Sequence, residues 1–262
     1  MSNIGTMISS EDLKKWLGMP DLTILDASWY LPDEGRDAHG EFCEAHIPGA
    51  QFFDIDTICD QSNSCPHMLP QPEVFAIAVS QLGVKSNTRV VVYDGKGLFS
   101  APRVWWMFRV FGHDKIHVLE GGFPAWRASG GAVTTEPSIV SNSTKSFIPA
   151  YQPCWVADVE TVKSHLRSGV VPIIDARSPE RFSGVERDPR PEVREGHIPG
   201  SLNLHYARLL EGEPTVLKSA EQLSNMFESV GAGVGRSIVT TCGSGISACI
   251  LALAFHQLGR EP

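Results

Sequence analysis

Residues 236–259, RSIVTTCGSGISACILALAFHQLG, join a short β-branched run to a longer apolar one through a loop that begins with Cys242 and holds Gly243 and Gly245. SIVTT suits a buried strand and ACILALAFHQLG a helix, so the cysteine falls at a strand-to-helix junction. The same arrangement occurs earlier: residues 89–112, RVVVYDGKGLFSAPRVWWMFRVFG, place Asp94, Gly95, Lys96 and Gly97 at the corresponding junction. Each copy is preceded by two further matching segments in the same order. LTILDAS (22–28) and EAHIPGAQFFDID (44–56) precede the first, and VVPIIDARS (170–178) and REGHIPGSLNLHY (194–206) the second. Asp94 follows Asp26 by 68 residues and Cys242 follows Asp175 by 67, so the spacing recurs along with the letters. A tetrapeptide shared by chance would carry no such spacing, whereas a duplicated unit does.

Each unit reads as apolar strand, loop, short strand, helix, strand, glycine loop and helix. That alternation predicts an α/β fold with a parallel sheet flanked by helices. TILDA, RVVVYD, VPIID and SIVTT are short and apolar, as buried parallel strands are. EDLKKWL, PEVFAIAVSQLG, APRVWWMFRVFG, VADVETVKSHLRSG and SAEQLSNMFESVG have helical periodicity, several ending in a C-cap glycine, and Ser9 or Ser10 reads as the N-cap of the first. From about Gly130 to Gln152 the chain is rich in turn residues. The expected organisation is therefore a first domain over 1–135, a linker over 136–152 and a second domain over 153–262.

With 42% hydrophobic and 20% charged residues in a chain of 262, two ordinary cores can be built. Mean hydropathy is −0.07, and no apolar run reaches the roughly 18 residues of a membrane helix. The formal net charge of −8 argues against nucleic-acid or anionic-membrane surfaces, so neither is expected as a partner. The start, MSNIGTMISSEDLKKWLGMP, has no basic-then-apolar secretory pattern, and the six cysteines form no Cys-x-x-Cys pair. The expectation is a cytoplasmic protein with reduced thiols, or one that has shed an organelle-targeting peptide. Cys59, Cys65 and His67 lack a second ligand pair at zinc spacing, and no metal or other cofactor is expected.

Cys242 carries the chemistry. Gly243 and Gly245 allow backbone angles that let amide N–H groups turn towards the sulfur, and the helix that follows adds its positive end. Such a cradle favours the thiolate, the nucleophilic form of cysteine. Cys249, inside the helix, reads as an ordinary buried thiol. The first copy has Asp94-Gly95-Lys96-Gly97 here and no cysteine, so chemistry is expected in the second half alone.

From about Asp12 to Arg260 the chain resembles the tandem rhodanese-family sulfurtransferases, on HIPG twice, FFDID, HMLP, GGFPAW and CGSGISA. The resemblance implies two rhodanese-like domains and a persulfide on Cys242. Within that family, thiosulfate enzymes usually carry basic side chains after the cysteine, and 3-mercaptopyruvate enzymes carry Cys-Gly-Ser-Gly-Val-Thr. Cys242-Gly243-Ser244-Gly245-Ile246-Ser247 is similar to the second pattern. An uncharged loop suits a carboxylate donor held elsewhere, whereas the compact dianion thiosulfate is better served by cations in the loop. The resemblance further implies that Arg181 and Arg190 hold the donor's carboxylate and carbonyl, a task suited to arginine's planar fork. It implies that Asp56, His67 and Ser244 form a proton relay. On residue types alone, Arg181 and Arg190 read as a solvated loop and His67 as a loop histidine. Arg187 and Arg194 are expected at the surface, and His46 and His197, the histidines of HIPG, as loop-fixing residues.

The implied reaction moves sulfur from 3-mercaptopyruvate to an acceptor thiol, a reduced thioredoxin or cyanide, releasing pyruvate. Its alternatives are a thiosulfate sulfurtransferase and a catalytically impaired binding protein of the same fold. A phosphatase of Cys-x5-Arg type is disfavoured, because Ala248 stands six residues after Cys242. The first half continues past its loop helix with HDKIHVLEGGFPAWRASGG, but the second reaches Pro262 without a counterpart. The second domain is therefore expected to lack its last strand and helix, leaving either a less stable form or a gap that a partner fills.

Overall fold

The structure, a computed structural model, describes residues 5–138, 146–188, 193–233 and 236–260. It divides into two compact units, one of residues 1–152 with 212–216 and one of 153–211 with 217–262. In the first unit the elements run β1 (Met7–Ile8), α1 (Ser10–Trp16), β2 (Leu22–Asp26), α2 (Ala38–Glu44), β3 (Ala50–Phe52), α3 (Pro72–Gln81), β4 (Arg89–Tyr93), α4 (Ala101–Val110), β5 (Ile116–Leu119) and α5 (Gly122–Ala128). The sheet order is β1-β5-β4-β2-β3, every pairing parallel. The central strand β4 carries Val90, Val91, Val92 and Tyr93, all fully buried, which is why RVVVY reads as an unbroken apolar run. The Ser9 hydroxyl accepts the Asp12 N–H at 3.1 Å and starts α1 as its N-cap.

Two short pieces depart from the sequence reading. α2, expected as loop, forms because Asp37 caps it, accepting the Gly40 N–H at 3.0 Å. The stretch read as linker is not free at its end: Phe147, 3% exposed, packs edge-on against Phe75 and Phe108. The N–H groups of Ala150 and Gln152 bond the carbonyls of Phe111 and Val110. Burying a phenylalanine stabilises by about 2 kcal/mol, enough to hold a turn-rich segment against the unit.

From residue 153 the elements run α6 (Val159–Ser168), β6 (Ile173–Asp175), α7 (Pro179–Ser183), β7 (Leu202–Asn203), β8 (Leu210–Glu211), β9 (Val216–Leu217), α8 (Ala220–Ser229), β10 (Val239–Thr241) and α9 (Ala248–Gln257), with residues 212–216, and so the first residue of β9, counted with the first unit. The sheet of the second unit is β10-β6-β7, again parallel. Gly169, at φ 66, closes α6 in the left-handed conformation expected of a C-cap glycine. Residues Ala248 to Phe255 of α9 are all buried, and Leu251, Ala254 and Phe255 meet Ile174, Leu223 and Phe227 in the core.

Register makes the duplication concrete. Asp26 pairs with Tyr93 and Asp175 with Thr241, so Asp94 and Cys242 each sit one residue beyond the same step of the sheet. Ala27 and Ala176 donate to the Tyr93 and Thr241 carbonyls at 2.8 Å in both units. The units differ beyond that strand: β4 is followed outward by β5 and β1, whereas among the described residues no strand lies outside β10. Val239 to Thr241 are half-buried, whereas Val90 to Tyr93 of the corresponding strand β4 are fully buried.

Candidate active site

Cys242 stands at the carboxyl end of β10, the end of a parallel sheet where ligands bind. The Gly245 N–H donates to its Sγ at 3.1 Å, from a backbone at φ 80 that side chains rarely adopt. Cys242 is half-buried and packs against the apolar core. Gly243, Ser244, Gly245 and Ser247 are also half-buried, and Ile246 is buried. The Ser247 hydroxyl makes no capping bond to α9. One buried thiol braces the loop from behind: Cys249 donates to the Gly245 carbonyl at 3.1 Å.

A cation not singled out in the sequence lies beside this loop. Arg177 Nε and Nη2 grip both oxygens of Asp175 at 2.7 to 3.1 Å, and Nη2 also donates to the Gly196 carbonyl. The Asp175 hydrogen bonds raise the Arg177 pKa against the opposing effect of burial, and the charges of Asp175, Asp188 and Cys242 add to the rise. Arg177 is therefore a fixed positive charge held on Asp175, the residue that pairs with Thr241 next to Cys242. A lone arginine after a strand gives no such signal in a sequence.

Arg181, on α7, is ion-paired through Nη2 with Asp188, a buried carboxylate, and its Nε is buried without a hydrogen-bond partner among the described residues. Arg190 lies outside the described residues. Arg187 is a surface residue paired with Glu195, and Arg194 is exposed. The two HIPG histidines brace loops. His46 Nδ1 and Nε2 lie 2.8 and 3.1 Å from the Phe42 and Glu136 carbonyls, and His197 stacks on Phe182 with Nδ1 2.8 Å from its carbonyl.

Asp56 and His67 meet in the first unit, while Ser244 belongs to the second. His67 Nε2 is 2.7 Å from Asp56 Oδ1. The loop between them is closed by the Asp60 N–H to the Met68 carbonyl and by Gln61 Nε2 and Cys59 Sγ to the Asp56 carbonyl. Hydrogen bonding from His67 holds the Asp56 carboxyl below its ordinary range despite partial burial, with a smaller contribution from Trp29. With Nε2 donating to the carboxylate, Nδ1 is the basic nitrogen. It is buried and has no partner among the described residues, leaving it able to accept a proton.

In the first unit the position of Cys242 is taken by Asp94, 1% exposed. Its Oδ2 accepts the N–H groups of Phe99, Ser100 and Ala101 at 2.7 to 3.0 Å, and its Oδ1 that of Lys96 at 2.9 Å. The loop is an anion cradle already filled by its own carboxylate.

Known proteins resemble both halves of the chain. The Rhodanese-like domain profile matches residues 9–129 and again 158–261. The chain is 44% identical to the Arabidopsis thaliana mitochondrial thiosulfate/3-mercaptopyruvate sulfurtransferase 1, over 97% of this chain and 72% of that protein. Identity to the Homo sapiens 3-mercaptopyruvate sulfurtransferase is 41%, over 93% of this chain and 81% of that one. The crystal structure of SseA from Escherichia coli, described as a 3-mercaptopyruvate sulfotransferase, superimposes with a TM-score of 0.86 at 34% identity, covering 98% of this chain and 95% of that one. Two profile matches over the two halves, with full-length relatives, place this chain in the rhodanese family as a tandem member.

Proposed function

We propose that this protein is a sulfurtransferase that takes sulfur from 3-mercaptopyruvate onto Cys242 and passes it to a thiol, thioredoxin or cyanide acceptor. The observation that carries the reading is the Gly245 amide bonded to the sulfur of Cys242, a half-buried residue at the carboxyl end of β10. The Cys242 thiolate attacks the donor's sulfur, the carbon–sulfur bond breaks, and its electron pair passes to the pyruvate enolate. The enolate takes up one proton to become pyruvate, and Cys242 is left as a persulfide. An acceptor thiolate then removes the outer sulfur and returns Cys242 as thiolate. His67, oriented by Asp56, supplies proton exchange together with Ser244. Arg181, with Arg190, binds the donor's carboxylate and carbonyl. Gly243, Gly245, Ile246 and Ser247 shape the donor pocket. The nucleophile is assigned to the domain over 153–262; the domain over 1–135, expected as non-catalytic, contributes only the Asp56–His67 pair, with 136–152 as the connection. Relatives named for both donors, and the cation Arg177 beside an otherwise uncharged loop, keep thiosulfate as a second donor.

Mass spectrometry after addition of 3-mercaptopyruvate should find one added sulfur on the Cys242 peptide, and Cys242→Ser should release no pyruvate. Turnover by that variant, or sulfur on another cysteine, would reject the assignment. Equal concentrations of 3-mercaptopyruvate and thiosulfate should favour the first; a preference for thiosulfate selects the second reading.

A further inference from the structure

The cradle around Asp94 has no nucleophile, but its bonds lead directly to Asp56 and His67. Asp94 fixes the backbone of Phe99, Ser100 and Ala101 at the start of α4. Ser100, fully buried, accepts the Trp29 backbone N–H at 3.1 Å, and the Phe99 ring lies parallel to the indole. The indole Nε1 in turn donates to both Asp56 oxygens, at 3.1 and 3.2 Å, while its ring stands edge-on to His67 at 5.1 Å. One turn into α4, Arg103 is 5% exposed, lies over the Trp106 ring and donates from Nη2 to the His67 carbonyl at 2.5 Å.

His67 needs that restraint. At φ 57 it is the one residue other than glycine with a positive φ among the described residues. Side-chain-bearing residues hold that conformation when surrounding bonds impose it, and it is found where a side chain must be aimed. Here it aims Nε2 at Asp56 and leaves Nδ1 as the basic nitrogen.

We infer that the inactive loop of the first unit serves as the scaffold for the Asp56–His67 pair, with Arg103 and Trp29 as the positioning residues through which it acts. Arg103 sets the backbone of His67, and Trp29 sets the plane of the Asp56 carboxylate. Neither exchanges a proton with substrate. The inference rests on the relay role proposed above for His67.

The test is pyruvate release from 3-mercaptopyruvate by the full chain carrying Trp29→Phe, Arg103→Met or Arg103→Lys, each also combined with His67→Ala. Melting midpoints identify folded variants; Trp29→Phe alters a half-exposed ring edge and Arg103→Lys keeps the charge, so both serve if Arg103→Met does not fold. His67→Ala should lower kcat by about a hundredfold, as loss of a proton-transfer group does. Trp29→Phe and Arg103→Met should each lower kcat by about tenfold at unchanged KM, with Arg103→Lys in between, because misplacing a catalytic group slows chemistry without weakening binding. In the His67→Ala background none should cause a further loss. The same loss without the imidazole, or parental kcat in folded Trp29→Phe and Arg103→Met, overturns the inference while leaving His67 in place. Parental kcat in His67→Ala itself removes the relay reading and the inference with it.

Discussion

Asp94 and Cys242 occupy the same step of the same fold, each one residue past a strand paired in identical register, yet the two loops treat negative charge in opposite ways. Around Asp94 four amides converge on a carboxylate that is sealed from water. Cys242 is half-buried, with the Gly245 amide on its sulfur, and Asp175 beside its strand is held by Arg177. The supporting residue differs too. Asp26 is hydrogen-bonded by the Ser28 N–H and hydroxyl, whereas Asp175 is gripped by a guanidinium. The first loop uses its amide donors on a buried carboxylate, whereas the second keeps a half-buried thiol at the same step of the sheet, as the proposed nucleophile requires.

The comparison can be broken most forcefully at Asp94. Asp94→Ala leaves its amide donors facing a buried space without an acceptor, and the first unit should lose about 4 kcal/mol of stability. Denaturation followed by tryptophan fluorescence reports it, since five of the six tryptophans lie before residue 152. An unchanged midpoint would mean that the loop holds its shape without the carboxylate.

A somewhat smaller effect concerns Asp26, whose pKa is pushed up to about 6, chiefly by burial and to a lesser degree by the charge of Asp94. An unfolded aspartate titrates near 3.9, so the folded state binds this proton more tightly. Its stabilising effect is complete below about pH 4 and is lost as pH rises through about 6, a span worth up to about 3 kcal/mol. Asp26→Asn should flatten that decline in melts taken across the range. A slope that survives the substitution would trace it to another group.

The smallest effect sharpens the second loop. Arg177→Met should slow alkylation of Cys242 by iodoacetamide near neutral pH by about tenfold, because a cation near the proposed nucleophile, which would favour its ionised form, is lost. Peptide mapping separates Cys242 from the exposed Cys43, Cys65 and Cys154. An unchanged rate would leave the backbone amides as the main support of the sulfur.

Much of this architecture is legible in the linear chain because its causes are local. RVVVY and SIVTT are strands from their β-branched runs, and Ser9 and Gly169 bound helices through their own backbone angles. Cys242 stands out because glycines at 243 and 245 have little purpose beside an inert thiol. The short helix α2 was hidden because AHGEFCE has a central glycine and no apolar stripe, and it depends on one aspartate cap. Arg103 was hidden for a different reason: it looks like an ordinary charge until its partner, the His67 carbonyl on another segment, is known, and Arg177 looks ordinary until the register that sets Asp175 against Thr241 is known.

The repeat, the parallel α/β units, the cysteine in the second junction and its absence from the first followed from the order of residues alone, since periodicity and glycine placement act over a few positions. Folding decided the rest. The filling of the first loop by Asp94, the aiming of His67 and the charge beside Cys242 depend on side chains meeting across the sheet and across loops. Those meetings are set by strand register and burial, which no short window of sequence contains.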